Sequence, residues 1–154
     1  MTDLSERFPF PPETAGSDSL PVLILHEDRE SYIRALRMLA NTFYGQPEAA
    51  TLRPLPWRFD ELTSESWGRR ALADAERAQI VIVAASATGP LSEDTRRWIA
   101  EALALRRGQS TAVVALGEGD DAADTPCRSH VRQIAIAAGL DFIEGDWPLL
   151  TTGR

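Results

Sequence analysis

The run from Ile80 to Ser86 (IVIVAAS) is the feature that most constrains the fold of this chain. It is short, apolar and rich in β-branched residues, and it ends at the turn-forming sequence Ala87-Thr88-Gly89-Pro90. A strand with one face in water alternates apolar and polar residues, and this run does not alternate. It therefore predicts the central strand of a parallel sheet that is covered on both faces.

The rest of the chain alternates further strand-like runs with amphipathic segments. We predict strands at 21–26, 51–55, 111–116 and 141–143, and helices around 33–43 and at 67–78, 90–107 and 126–138. Strand and helix alternating about five times indicate an α/β fold: a three-layer, doubly wound, parallel five-stranded sheet of order 2-1-3-4-5, the order of flavodoxin-like domains. Residues 20–150 would form this single domain, between a flexible N-terminal arm (1–19) and a tail (151–154).

The first helix shows an apolar stripe at three- and four-residue steps. Ile33, Leu36, Ala40 and Phe43 recur in this way, so we expect this set to face the sheet. Asp28 or Ser31 is expected to cap the helix.

The second strand has the features of an edge strand. Prolines 54 and 56 cannot donate to a ladder, which suits an edge. The segment Trp57-Arg58-Phe59 belongs either to this strand or to the loop after it, and residues 60–66 would then connect to the helix that follows.

Composition and charge exclude several classes of partner and site. The formal net charge of −7 repels phosphate, so nucleic acid and anionic membranes are not expected as partners. All 16 basic residues are arginine, so lysine-dependent chemistry is excluded. The single cysteine, Cys127, excludes an internal disulfide and cysteine-rich zinc sites. No signal peptide and no apolar run of membrane-spanning length occur, so a soluble cytoplasmic protein is expected.

The N-terminal arm contains a proline-aromatic segment, Phe8-Pro9-Phe10-Pro11-Pro12. Prolines prevent a regular strand ladder there, which favours a flexible arm. The alternative is that Phe8 and Phe10 dock on a partner or on the domain's own surface.

Polar and acidic residues follow the predicted strands at their carboxyl ends, where ligands bind in sheets of this kind. They are His26, Glu27, Asp28, Ser86, Thr88, Glu118 and Glu144. We consider Glu27 and Asp28 as candidate Mg²⁺ ligands; the alternative is that they stabilise the start of the following helix. No glycine-rich phosphate loop follows the first strand, so no nucleotide cofactor is expected.

The segment 23–28 (LILHED) before an amphipathic helix resembles the opening of response-regulator receiver domains, and 138–143 with Trp147-Pro148 loosely resembles their ending. The resemblance implies that the acidic pair binds Mg²⁺. It also requires a phosphoryl-accepting Asp after the third strand, a Ser or Thr after the fourth and a Lys after the fifth. This chain has Ala84-Ala85-Ser86, Leu116-Gly117 and no Lys. Phosphorylation of the usual receiver kind is therefore excluded.

A second resemblance involves Ser86 and the sequence Trp98-Ile99-Ala100-Glu101, which is similar to a motif of Toll/interleukin-receptor domains. It implies glycosyl-bond cleavage of NAD through Glu101, although the Trp–Glu spacing is one residue short. The alternative is that Glu101 is an exposed helix residue within ion-pairing reach of Arg97.

Two functional hypotheses follow from these observations. The first is a non-enzymatic receiver-like domain that acts by contact with a protein partner or in a homodimer, with Trp57 and Trp147 as candidate interface residues. The second is a small enzyme or ligand-binding domain that uses the acidic edge, with Mg²⁺ or by NAD glycosyl cleavage.

Overall fold

The sheet has five parallel strands in the order β2-β1-β3-β4-β5, as the sequence predicts. The structure is a computed structural model that describes residues 20–43, 52–85, 91–107, 109–116 and 126–143. The predicted arm (1–19) and tail (151–154) lie outside these residues. In chain order the elements are β1 Leu20–His26, α1 Arg29–Phe43, β2 Leu52–Arg58, α2 Phe59–Leu62, α3 Glu65–Ala75, β3 Ile80–Ala84, α4 Glu93–Ala104, β4 Ala112–Leu116, α5 Pro126–Ala137 and β5 Asp141–Ile143.

β3 is the central strand, and all five of its residues are buried. It pairs in parallel with β1, where Ile82 lies opposite Ile24, and with β4, where Ile82 lies opposite Val114. The absence of alternation in its sequence is thus explained by apolar cover on both faces. The expectation of a central, doubly covered strand is confirmed.

Two apolar cores lie on opposite faces of the sheet. The larger contains Val81 and Val113 and is covered by α2, α3, α4 and α5. The smaller contains Ile24 and Ile82, and α1 is the helix of the described residues that covers it. Each fully buried Val, Leu or Ile contributes about 1.5–3 kcal/mol relative to its exposed state, so these faces account for much of the fold's stability.

The predicted inward stripe of α1 is wrong for two of its members. Ile33 is 37% exposed and Ala40 is exposed, while the side chain of Phe43 lies outside the described residues. The helix packs instead through a neighbouring stripe that contains Leu36 together with Ala35, Met38 and Leu39. The physical reason is that Leu36 belongs to both stripes, and the observed orientation of the helix places two large apolar side chains, Met38 and Leu39, against the sheet in place of Ile33 and Ala40.

The chain between β2 and β3 contains more structure than the sequence predicted. β2 lies at the edge of the sheet, as its prolines indicate, and of the two alternatives for Trp57 and Arg58 the structure has the strand. The short helix α2 follows directly, where we expected only a connection. Ser64 then caps α3, since its side chain accepts a hydrogen bond from the Trp67 N–H, and this helix ends at Ala75. The two helices pack on each other, which fixes Trp67 close to β2.

Candidate functional site

Asp28 caps α1 at the carboxyl end of β1. Its Oδ1 accepts a hydrogen bond from the Ser31 N–H at 2.9 Å, at the third position of the helix. The Ser31 hydroxyl in turn accepts from the backbone N–H groups of Glu27 and Asp28, both at 3.0 Å, and donates to the Asp28 carbonyl at 2.9 Å. This reciprocal arrangement satisfies donors that a helix start leaves unpaired. The capping alternative is therefore confirmed for Asp28, and Ser31 takes part in the same cap.

His26 is an interior residue of this edge and is only 8% exposed. Its ring stacks on Tyr32 with centroids 4.8 Å apart, and its Nδ1 lies 3.2 Å from the Asp28 carbonyl, to which it donates in the Nδ1–H tautomer. Burial lowers the pKa of His26, and the hydrogen bond to Asp28 opposes this only partly. The side chain is thus neutral at neutral pH and helps to hold the turn.

Cys127 lies at the same edge, which sequence reasoning did not foresee. It is the second residue of α5 and is buried. Burial, with a smaller contribution from the negative charge of Glu27, raises the pKa of the thiol to about 11. A thiol of this kind is protonated at neutral pH and is a poor nucleophile. The interaction with Glu27 nevertheless shows that the start of α5 and the end of β1 are close in space.

The other predicted edge residues do not add to a described site. Ser86, Thr88, Glu118 and Glu144 lie outside the described residues, as does the interface candidate Trp147. Within the part of the chain that the structure describes, no group of three His, Cys, Asp or Glu side chains is placed to hold a metal ion. Glu27 and Asp28 remain an adjacent pair, with the cap formed by Asp28.

Trp98 and Glu101 differ in their surroundings on α4. Trp98 is buried, and its Nε1–H donates to the Gly68 carbonyl at 3.1 Å. Glu101 is exposed, which agrees with the alternative that it is a surface residue of the helix. Arg97, four residues before Glu101, pairs with Glu93 and Asp94 one turn earlier in the helix.

Trp57 is held against α3 by a hydrogen bond. Its Nε1–H donates to Asp74 Oδ2 at 2.9 Å, and the other carboxylate oxygen of Asp74 pairs with Arg77 at 3.1 Å. Trp57 is half-buried and packs on the larger core. Its ring is therefore fixed in orientation, with one part still accessible.

Trp67 is the most exposed large aromatic side chain among the described residues, at 44%. Its ring centroid lies 6.0 Å from that of Trp57, with the planes inclined by 54°. The Arg70 guanidinium lies 5.3 Å from the Trp67 centroid, a cation–π contact. Trp67, Arg70, Ser66 and Arg69 line a cavity of about 290 Å³. We call Trp57 and these four residues the tryptophan surface.

Sequence reasoning selected Trp57 and missed Trp67. The sequence gives no signal for its exposure, because Trp67 stands four residues before Ala71 and eight before Ala75, the buried stripe of the same helix. Trp67 is exposed because it lies in the first turn of α3, where the packing of the helix against its neighbours decides which side chains are covered. Exposure of this kind, beside a second aromatic ring and a guanidinium, is typical of contact surfaces.

Comparisons with known proteins add no family assignment. No model of a known protein family matches this sequence, and no curated protein matches it. No helix among the described residues is long and apolar enough to cross a membrane.

Proposed function

We propose that this chain is a receiver-like α/β domain that acts by binding another protein and not by phosphoryl transfer. The observation that carries the proposal is the exposure of Trp67 beside Trp57 and under the Arg70 guanidinium. Trp and Arg are the residue types that contribute most often to binding hot spots. The hydrogen bond from Trp57 to Asp74 reduces the ordering that binding would require.

The area of Trp67 gives the scale of the expected contribution. With 44% of a side-chain surface of about 250 Å² exposed, complete burial removes about 110 Å² from water. At about 25 cal/mol per Å² this corresponds to about 2–3 kcal/mol. Loss of that contribution would weaken a complex by roughly 30- to 150-fold.

The residues at the carboxyl edge of the sheet favour a protein-binding function over phosphoryl transfer. β3 ends at Ala84, followed by Ala85, and both are buried. A receiver requires an acceptor carboxylate there, and a methyl group cannot form an acyl phosphate. The cap formed with Ser31 also gives the Asp28 carboxylate a structural role.

The second candidate, a ligand or Mg²⁺ at the acidic edge, is favoured by one observation. Glu27 and Asp28 are adjacent carboxylate residues and both are exposed. NAD glycosyl cleavage has less support, since Glu101 lies on an exposed part of α4.

The experiment compares partner capture by purified, tagged parent protein with capture by Trp67→Ala and Ile136→Ala. Ile136 is a matched control, because it is a 63% exposed apolar residue on α5. Proteins retained from a lysate of the source cells are quantified by mass spectrometry, with a differently tagged copy of the chain added to detect a homodimer. We expect one or more proteins to be retained by the parent and by Ile136→Ala but lost by Trp67→Ala. Equal capture by all three proteins would overturn the proposal.

A further inference from the structure

We propose that the tryptophan surface is the docking site for the chain's own proline-aromatic segment, residues 8–12, when no partner is bound. The inference rests on the proposed function, because it identifies the kind of segment that this surface takes. It would also make the N-terminal arm a competitor of the partner.

The chemistry of the segment matches an aromatic surface. Pro9-Phe10-Pro11-Pro12 is a P-x-x-P sequence, which favours the polyproline II conformation. With three residues per turn, Pro9 and Pro12 lie on the same face of that helix. Such segments are recognised by grooves lined with aromatic rings, because little conformational entropy is lost when they bind. Trp57 and Trp67 provide two rings with centroids 6.0 Å apart.

The charges of the arm and the surface are opposite. Residues 1–19 carry the carboxylates of Asp3, Glu6, Glu13 and Asp18 and a single arginine, Arg7. The tryptophan surface contains Arg69 and Arg70, which line its cavity. Arg69 pairs weakly with Glu65 at 3.8 Å, and the Arg70 guanidinium lies 5.3 Å from the Trp67 centroid. Glu13, directly after the prolines, is thus suited to meet a guanidinium.

The length of the arm allows the contact to form within one chain. β1 begins at Leu20, which lies opposite Leu52 at the start of β2. Trp57 is five residues further along β2, or about 17 Å at the usual rise of a strand. The linker between Pro12 and Leu20 contains seven residues, which span up to about 25 Å when extended. Segment 8–12 can therefore reach Trp57 and the adjacent ring of Trp67.

Tethering makes even a weak interaction effective. A short flexible linker gives an effective concentration of about 1 mM. A segment whose separate peptide has a Kd near that value would occupy the surface about half of the time. Removing it would then raise the apparent affinity for a partner about twofold.

The test uses full-length protein labelled with 5-fluorotryptophan and observed by ¹⁹F NMR. The Trp67 resonance is assigned with Trp67→Phe. We expect the double variant Pro9→Ala/Pro12→Ala to shift this resonance, and the control Thr14→Ala/Ser17→Ala to leave it unchanged. A synthetic peptide of residues 6–14, added to the proline variant, should restore the parent position, and Arg70→Gln should weaken that restoration.

Two results would overturn the inference. One is a Trp67 resonance that is the same in the parent and the proline variant. The other is a parent resonance that moves toward that of the proline variant on dilution, which would assign the contact to a second copy. Neither result affects whether Trp67 is needed for the capture of a partner protein. A failure of the docking proposal is therefore distinguishable from a failure of the proposed function.

Discussion

Gly68 is a position where the ordinary effect of a substitution should change sign. It lies in α3, and a Cβ atom built on it would be 2.5 Å from the carbonyl oxygen of Leu62, the last residue of α2. Its own carbonyl accepts the hydrogen bond from Trp98 Nε1. The backbone of Gly68 is thus in close contact with α2 and is also bound to α4.

The magnitude of Gly68→Ala follows from three contributions. Helix propensity alone would stabilise the protein by about 1 kcal/mol. Overpacking costs about 1–3 kcal/mol, at the upper end here because the opposing atom belongs to the backbone. A shift of α3 away from α2 would also weaken the Trp98 hydrogen bond, at about 1 kcal/mol. We expect a net loss of about 2–3 kcal/mol.

Urea denaturation followed by tryptophan fluorescence measures this change. The matched control is Ala73→Gly, at an exposed position of the same helix, which should lose about 1 kcal/mol by propensity alone. Opposite substitutions in one helix would then both destabilise the protein, which only a packing contact at Gly68 explains. A gain of about 1 kcal/mol for Gly68→Ala would refute the account of how α2, α3 and α4 pack.

Three further predictions concern the carboxyl edge. Asp28→Ala should lose about 1 kcal/mol of stability in a thermal melt because the cap is lost, whereas Asp28→Asn should not. Millimolar Mg²⁺ should leave the Tm of the parent and of Asp28→Asn unchanged. A rise in Tm with Mg²⁺ in the parent alone would indicate a metal site. Because burial lowers the pKa of His26 in the folded protein, the unfolded state binds a proton at this side chain more readily. The free energy of unfolding should therefore fall as pH decreases through about 6.5, and His26→Gln should flatten this dependence. Cys127, with a pKa of about 11, should react with a thiol reagent at neutral pH only after denaturation, and rapid labelling of the native protein would contradict its burial.

The sheet was predictable because its strongest signals are short-range. The uninterrupted run in β3 indicates burial on both faces, and the prolines of β2 indicate an edge. Once the strands alternate with helices, the handedness rule leaves few arrangements. The order 2-1-3-4-5 is one of these few arrangements, and the structure has it.

The phase of α1 was not predictable in the same way. Two apolar stripes share Leu36, and packing against the sheet selects the one with Met38 and Leu39. That packing depends on residues far away in the sequence. Periodicity identifies a helix but cannot choose between two overlapping faces.

The contacts in the candidate sites differ in the same way: those between residues close in sequence could be predicted, and those between distant residues could not. The cap by Asp28 could be foreseen, because its hydrogen bonds span three residues. Two other contacts could not be foreseen, because each joins elements that are brought together by the sheet or by helix packing. They are the approach of Cys127 to Glu27 and that of Trp67 to Trp57. The surface that supports the proposed function is therefore a product of tertiary structure.

Site-specific photocrosslinking in the source cells tests the central claim most directly. A photoreactive phenylalanine analogue replaces Trp67 in one strain, and Ile136 and Glu27 in two control strains, and adducts are identified by mass spectrometry. We predict that position 67 yields an adduct with another protein that neither control position yields. An adduct from position 27 alone, or the same adducts from all three positions, would contradict the claim that this domain acts through its tryptophan surface.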